Sequence, residues 1–376
     1  MTQSDLLRAL VLPFDKGDLP LPERAFLMRA EPSEVLDAEW RSRLVCEQSF
    51  KPAYDRLLAA GYDATARLEG AFEAGLCLLT KHKAENRANI ARAWSLLRPG
   101  GLLVCCGANA LGAQSVEREV ERVFGLDGHL SKHLARTFWL RRGDSVPEAV
   151  AEWQAGGEPG PVADTGLVAR AGCFSPDHVD TGSRILAGCF PEGIAGRVAD
   201  LGAGWGYLSV DLLRRFPDIT HLDLFEAEAL ALEDARTNIG PDPAAEVRYH
   251  WHDVCAGLPA VKPPEVVPPA AIEAAAKGAE APARPGAIRS GNELPERYDW
   301  IVSNPPFHDG GKADPAIGRA FITAAWKAIR RRGKFLLVAN QHLPYEAELR
   351  RRFREVEQVT VAEGFKVYLA SNRHEK

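Results

Sequence analysis

Val198-Ala199-Asp200-Leu201-Gly202-Ala203-Gly204-Trp205-Gly206 is a short apolar strand that runs straight into three alternate glycines, and a helical stretch from Tyr207 to Phe216 follows at once. Glycines at such positions allow a tight turn and let a ligand approach backbone that a side chain would cover. About twenty residues further on, a second apolar strand, His221 to Phe225, ends at Glu226. A carboxylate there is suitably placed to accept hydrogen bonds from ribose hydroxyls. Strand, glycine turn, helix, strand and acid together point to a nucleoside-bearing cofactor on an α/β sheet. The glycines alone do not choose between dinucleotide and adenosylmethionine folds, because both use similar turns.

The same alternation continues downstream. A helix from Ala227 to Ile239, closed by Gly240, leads to a strand at Val247–Trp251; another strand covers Trp300–Ser303, and a helix over Ile317–Ile329 precedes a strand at Phe335–Ala339. This predicts a doubly wound α/β domain. Near the end, Val359–Ala362 and Lys366–Ala370 flank Glu363-Gly364-Phe365 and predict an antiparallel hairpin, which makes the sheet mixed. His252-Asp253-Val254 follows the third strand and leaves two readings open for Asp253, contact with an adenine amino group or a helix cap. Residues 257–295 interrupt the domain with Ala- and Pro-rich sequence, read as a surface excursion or disordered loop, with a transiently helical patch around Ala270–Ala276.

Upstream the signal is fainter. Ala25–Met28 and Leu76–Leu79 read as strands, Ala84–Leu97 and Ser115–Phe124 as helices, and Leu102–Cys106 as a parallel strand covered on both faces. Gly156-Gly157-Glu158-Pro159-Gly160-Pro161 favours no regular element and marks a domain boundary. A repeat links the halves: Ala93-Trp94 and then Arg98-Pro99-Gly100-Gly101-Leu102-Leu103-Val104 echo Ala325-Trp326 and then Arg331-Arg332-Gly333-Lys334-Phe335-Leu336-Leu337-Val338, given a one-residue gap. Duplication of one α/β domain and ordinary β-α-β grammar both explain it.

Composition narrows the class. The chain has 376 residues, which favours two domains, and 46% hydrophobic with 26% charged residues is a soluble globular mixture. No run approaches about eighteen apolar residues, and the start lacks a basic segment followed by an apolar core, so neither a membrane span nor a secretory signal is expected. Seven irregularly spaced cysteines suit reduced thiols in the cytoplasm. A net charge of −5 does not advertise nucleic-acid binding. Arg330-Arg331-Arg332 and Arg350-Arg351-Arg352 with Arg354 are local exceptions, suited either to phosphates or to solvated helix ends. Gly310-Gly311-Lys312 lacks the rest of a phosphate-binding loop, and His250, His252 and Cys255 match no strong zinc pattern, so no metal is expected.

The most informative segment is Asp299-Trp300-Ile301-Val302-Ser303-Asn304-Pro305-Pro306-Phe307. Its strand delivers Asn304 to the carboxyl ends of the sheet, where open α/β folds bind ligands. Two prolines then restrict the backbone. The Asn304 side-chain oxygen and the Pro305 carbonyl can accept both hydrogens of a planar amino group, which orients its nitrogen toward a methyl donor. Phe307 can stack on a base held in the pocket.

Asn304-Pro305-Pro306-Phe307 resembles the Asn-Pro-Pro-[Phe/Tyr] motif of amino-group methyltransferases acting on adenine, guanine or glutamine amides. The fuller passages are similar to the bacterial ribosomal RNA guanine-N2 methyltransferases of the small-subunit type called methyltransferase C. They are Gly172-Cys173-Phe174-Ser175-Pro176-Asp177, Asp180-Thr181-Gly182-Ser183, Asn304 to Gly310, Val338-Ala339-Asn340 with Leu343-Pro344-Tyr345, and Phe365-Lys366-Val367-Tyr368. The resemblance is strong from Gly172 to Arg373 and diffuse before it. It implies two tandem Rossmann-like class I methyltransferase domains: a degenerate one over 1–165 for substrate recognition and support, and a catalytic one over 166–376. It implies S-adenosylmethionine as cofactor, contacted by Asp200, Gly202, Gly204, Gly206, Glu226, Asp253 and Val254, with Gly182 and Ser183 approaching from the preceding segment. Catalysis would centre on Asn304, Pro305, Pro306 and Phe307. The expected substrate is a guanine of 16S ribosomal RNA, methylated by a cytoplasmic monomer in or near the small subunit. The long loop after Asp253 departs from the family pattern. Rivals are a 23S guanine-N2 enzyme, an adenine-N6 or protein glutamine methyltransferase, and a nonenzymatic RNA-binding assembly factor. The His308-Asp309-Gly310 and Phe365-Lys366-Val367-Tyr368 passages favour guanine.

Overall fold

Phe335, Leu337 and Ala339 pack into one hydrophobic cluster while Leu336 and Val338 pack into another, so a single strand serves two cores. Successive side chains of a strand point to opposite faces, and an unbroken apolar run therefore needs cover on both sides. The computed structural model of the chain describes residues 3–261, 293–294, 297–306, 308–309 and 312–374. Two compact units emerge, Met1–Gly160 with Arg170–Gly172 and Pro161–Ala169 with Cys173–Lys376.

The first unit holds seven sheet strands: β1 (Ala25–Met28), β2 (Leu44–Glu47), β3 (Asp63–Thr65), β4 (Phe72–Leu78), β5 (Leu97–Ala108), β6 (Gly128–Lys132) and β7 (Ala135–Arg141). Its helices are α1 (Gln3–Asp15), α2 (Ala38–Arg43), α3 (Lys51–Ala59), α4 (Lys83–Leu96), α5 (Ala113–Phe124) and α6 (Glu148–Ala155). The second unit has β8 (Gly196–Leu201), β9 (Ile219–Glu226), β10 (Glu246–Trp251), β11 (Tyr298–Ser303), β12 (Ile329–Asn340), β13 (Phe353–Ala362) and β14 (Phe365–Arg373). Around that sheet run α7 (Thr181–Gly188), α8 (Tyr207–Arg215), α9 (Ala229–Ile239), α10 (Pro315–Ala328) and α11 (Tyr345–Arg352).

Strand order is β3-β2-β1-β4-β5-β7-β6 in the first sheet and β10-β9-β8-β11-β12-β14-β13 in the second. Adding seven to each label of the first gives the second. In each, one antiparallel strand, β7 or β14, sits between two strands of the common direction. The expected C-terminal hairpin is present and longer than its apolar residues suggest, with Ala362 opposite Phe365 and Phe353 opposite Arg373.

Registers repeat as well. Phe72 pairs with Leu97 and Ala74 with Leu102 across one irregularity; Tyr298 pairs with Ile329 and Trp300 with Lys334 across its counterpart. The α4 and α10 helices that lead into these strands have 14 residues each. Trp94 thus corresponds to Trp326, and Gly101 to Gly333, with no gap between them. The one-residue gap of the sequence repeat is an artefact of matching apolar letters rather than strand register. A duplicated α/β unit is what the fold displays.

Ala260–Val261 pairs in parallel with Glu293–Leu294, bringing together the two ends of the interrupting segment. The readings made for its interior, including Ala270–Ala276, lie outside the described residues. Among the described residues no helix is long and apolar enough to cross a membrane.

Candidate active site

Parallel strands β8 and β11 end side by side, with Leu201 opposite Ser303. The Ser303 hydroxyl donates to the Leu201 carbonyl at 2.7 Å and ties the two ends together. Gly202 and Ala203 turn the chain by donating their N–H groups to the Phe225 carbonyl, at 2.8 and 3.1 Å.

The three glycines all have positive φ, but for different reasons. A Cβ on Gly206 would lie 3.0 Å from Ala235 Cβ and 3.1 Å from its Cα, so this glycine lets α8 pack against α9. On Gly202 it would press on the Phe321 ring at 3.2 Å. On Gly204 it would meet nothing within 4 Å; here the glycine leaves open space beside the backbone. Glu226 secures the turn, accepting the Gly204 N–H and the Glu228 N–H at 2.8 Å each. Burial pushes its carboxyl above the usual range, and the backbone amides pull the other way. Asp200 is wholly buried and accepts from the Ser209 hydroxyl at 2.8 Å. Its pKa is raised to about 7, chiefly by burial and further by the charge of Glu226. Its second oxygen has no partner among the described residues.

Beside this turn stands Asn304, 9% exposed. Its Nδ2 donates to Asp180 Oδ2 at 2.7 Å and to Ser183 Oγ at 2.8 Å. The same Asp180 oxygen caps α7 by accepting the Ser183 N–H at 2.9 Å. The carboxamide oxygen Oδ1, by contrast, is buried without a partner among the described residues. Buried acceptors are rarely left so, and one at the wall of a cleft invites a donor from a ligand. That cleft is lined by Gly202, Ala203 and Gly204, by Asp180, Ser183 and Asn304, and by the aromatic residues Phe174, Trp205 and Tyr207. Trp205 is held by its ring N–H, which donates to the Phe174 carbonyl at 3.1 Å.

The other residues singled out from sequence are placed as follows. Pro305 is buried and Pro306 exposed, next to Asn304. Phe307 lies outside the described residues. Asp253 caps the short turn Val254–Ala256, accepting the Cys255 N–H at 2.8 Å through Oδ1. Val254 is 3% exposed and belongs to the core cluster that includes Phe321. Its side chain therefore faces protein, and only its backbone is left to offer a ligand. A Cβ on Gly182 would sit 3.1 Å from both the Phe365 ring and Asp180 Oδ2, so the glycine serves close packing.

The arginine groups are placed at the other end of the sheet. Tyr298 opposite Ile329 marks the edge remote from Ser303, and Arg330–Arg332 follow Ile329 directly. Arg350–Arg352 immediately precede Phe353, at that same edge. Arg330 pairs with Asp299, Arg350 with Glu346, and Arg351 and Arg352 with Glu348, while Arg352 lies 4.8 Å over the Trp326 ring. Arg330, Arg350, Arg351 and Arg352 thus lie at the end of the sheet remote from Ser303, paired with acids of their own or neighbouring elements. What sequence reasoning missed is Asp180. Ahead of Thr181-Gly182-Ser183 and an apolar pair it reads as an ordinary helix cap, which it also is.

A doubly wound sheet with a glycine-turned cleft and an Asn-Pro-Pro turn at its strand ends defines an α/β methyltransferase. The chain belongs to the methyltransferase small domain family, whose model matches residues 164–277 and 265–369. Among curated proteins it is similar to ribosomal RNA small subunit methyltransferase C of Shewanella sediminis, 24% identical over 98% of this chain and 96% of that one. Its counterpart in Hamiltonella defensa is 31% identical over 56% of this chain and 51% of the relative. Among solved structures, the T. thermophilus 16S rRNA N2 methyltransferase in complex with AdoMet and guanosine shares the fold, with a TM-score of 0.65 at 22% identity over 97% of this chain and 92% of that one.

Proposed function

We propose that this chain transfers a methyl group from S-adenosylmethionine to the exocyclic N2 amino group of a guanine in 16S ribosomal RNA. The observation that carries the reading is the buried Oδ1 of Asn304, a residue that lines the cleft, which has no partner among the described residues and can accept from a donor. The names of the relatives over nearly the full chain supply the ribosomal RNA.

The residues fit the cofactor. Gly204 leaves its backbone open to a ligand, and Glu226, on the adjacent strand end, has the chemistry to receive ribose hydroxyls. S-adenosylmethionine, when bound, supplies an electrophilic methyl group. Asn304 Oδ1 and the Pro305 carbonyl accept the two hydrogens of the guanine amino group and turn its lone pair toward that methyl. As the nitrogen gains positive charge, these oxygen dipoles, already aligned, stabilise it without reorganising. The covered position of Asn304 excludes water that would compete for the same hydrogens.

In this reading residues 166–376 are catalytic and 1–165 recognise and support the RNA, in a cytoplasmic monomer acting on or near the small subunit. Fragment and nucleoside mass spectrometry of ribosomal RNA from a deletion strain tests it. One 2-methylguanine missing from 16S RNA is the expected result; an unchanged 16S profile, or a loss in 23S RNA, rejects it. Transfer to naked RNA compared with assembled subunits then identifies the substrate particle.

A further inference from the structure

An asparagine side chain is nearly symmetric in shape and opposite in chemistry at its two ends. Turned one way, Asn304 offers the cleft an acceptor; turned the other, a donor. Only the first serves an amino group, since a second donor would face the hydrogens it should bind. Something must hold the carboxamide one way round. We propose that Asp180 is a positioning residue that fixes the acceptor end of Asn304 toward the target nitrogen, with Ser183 as its auxiliary. The inference rests on the amino-group reading given above.

The geometry is specific. Asp180 Oδ2 receives Asn304 Nδ2 at 2.7 Å and the Ser183 N–H at 2.9 Å, and Ser183 Oγ receives the same Nδ2 at 2.8 Å. An ionised carboxylate can only accept, so it admits the amide nitrogen and repels the amide oxygen. A hydrogen bond to a charged acceptor is also stronger than one between neutral groups. Both N–H donors of Asn304 are thereby engaged within the protein, and the oxygen left over is the buried, unpartnered one. The negative charge behind the NH2 group further polarises the carboxamide, making Oδ1 a better acceptor for an amine that is becoming cationic. Asp180 touches neither reacting atom in this account; it acts through Asn304. Residues 124 apart in sequence are joined by it, which couples the first turn of α7 to the strand end that carries the chemistry.

Capping and positioning are separable by substitution. In Asp180→Ser the hydroxyl still caps α7, but the side chain is one bond too short to reach Asn304. Asp180→Asn keeps the reach and restores a neutral acceptor. The measurements, on the full chain, are single-turnover methyl transfer at saturating S-adenosylmethionine and 16S RNA substrate, affinity for each, and thermal melting. Asp180→Ser should slow transfer between about 10- and 100-fold, with both affinities within about threefold of wild type, and Asp180→Asn should recover part of the loss. The double variant Asp180→Ser with Asn304→Ala should be no slower than Asn304→Ala alone, because both remove one device. Independent, multiplying effects in that cycle overturn the proposal, as does a wild-type rate in Asp180→Ser. Parallel loss of cofactor affinity overturns it too, assigning Asp180 to cofactor binding instead. If Asp180→Ser melts early, Ser183→Ala and Asp180→Asn carry the same cycle with Asn304→Ala, and multiplying effects there are equally fatal. Should Asn304→Ala itself transfer normally, the amino-group reading falls and takes this proposal with it. An inactive Asn304→Ala beside a fully active Asp180→Ser sinks this proposal alone.

Discussion

Asn304 and Asp200 are two buried polar residues at neighbouring strand ends, and their unpartnered oxygens have different consequences. For Asn304 the open acceptor is the working group. Asn304→Ala should lower the single-turnover rate by about two orders of magnitude, roughly 3 kcal/mol, and leave the S-adenosylmethionine dissociation constant nearly unchanged in a binding titration. A normal rate removes this residue from the chemistry. For Asp200 the open oxygen marks a carboxyl that resists ionisation, with a pKa of about 7. The folded protein then holds a proton that the unfolded chain releases near the ordinary value of about 4. Stability is therefore full below that lower value and falls as pH rises toward the folded pKa, with a slope no steeper than about 1.4 kcal/mol per unit. Asp200→Asn does not titrate. Denaturation at about pH 5 and about pH 8 should show the wild type losing ground to this variant as pH rises; identical pH dependence would mean that Asp200 is ionised throughout. Of the site, the sequence made the glycines, Glu226 and Asn304 legible because a turn and a strand end demand those residue types locally. Asp180 stayed hidden because its second contact spans the fold, and no local pattern separates a cap that only caps from one that also holds Asn304.

Elements show the same division between local and distant causes. Strands β8, β9, β11 and β12 are central and parallel, so their apolar runs announce them. The β6 edge strand, Gly-His-Leu-Ser-Lys, is half-exposed and carries no such run, and it escaped notice with its partner β7. The edge pairing was read in the second unit, where Val359–Ala362 and Lys366–Ala370 bracket a visible turn, and missed in the first, where the turn residues His133 and Leu134 both take positive φ without glycine. The sequence repeat has its physical root in the irregularity that opens β5 and β12. A Cβ on Gly333 would lie 2.5 Å from Ile329 Cγ1 and 3.0 and 3.1 Å from the carbonyl oxygens of Tyr298 and Asp299. On Gly101 it would lie 2.8 and 3.1 Å from the Arg98 and Glu73 carbonyl oxygens. Both positions leave no room for a Cβ, so the same backbone irregularity calls for glycine in each unit. Gly333→Ala should cost about 1–3 kcal/mol of stability through overpacking against backbone that cannot retreat. Chemical denaturation measures it, and a neutral result would show that the irregularity relaxes freely.

Register extends the comparison to the whole molecule and bears on how many cofactors one chain holds. Met28 pairs with Glu47 and Cys77, and Leu201 pairs with Phe225 and Ser303. The position of Glu226 is therefore taken by Gln48 in the first unit, that of Asn304 by Leu78, and that of the glycine turn by Arg29-Ala30-Glu31-Pro32-Ser33. Much of the frame survives. Ala30 donates to the Glu47 carbonyl at 3.1 Å, as Ala203 does to Phe225, and Gln48 Oε1 accepts the Phe50 N–H at 3.0 Å, as Glu226 accepts that of Glu228. Arg29 even keeps the positive φ of Gly202, at 59°. What has gone is chemistry: Gln48 spends its amide on the Ala30 carbonyl at 2.8 Å, Leu78 has no polar atom to aim at an amino group, and proline and glutamate fill the turn where a ligand needs bare backbone. The first unit keeps the backbone frame of the second unit's turn with different side chains on it. Calorimetric titration of the full chain with S-adenosylmethionine should accordingly give one site per chain. Gly204→Val, which puts a branched side chain into the open space beside the turn at a φ of 54°, should abolish that single site and leave no weaker one behind. Saturable binding that survives the substitution would place a second cofactor in the first unit and contradict its silence.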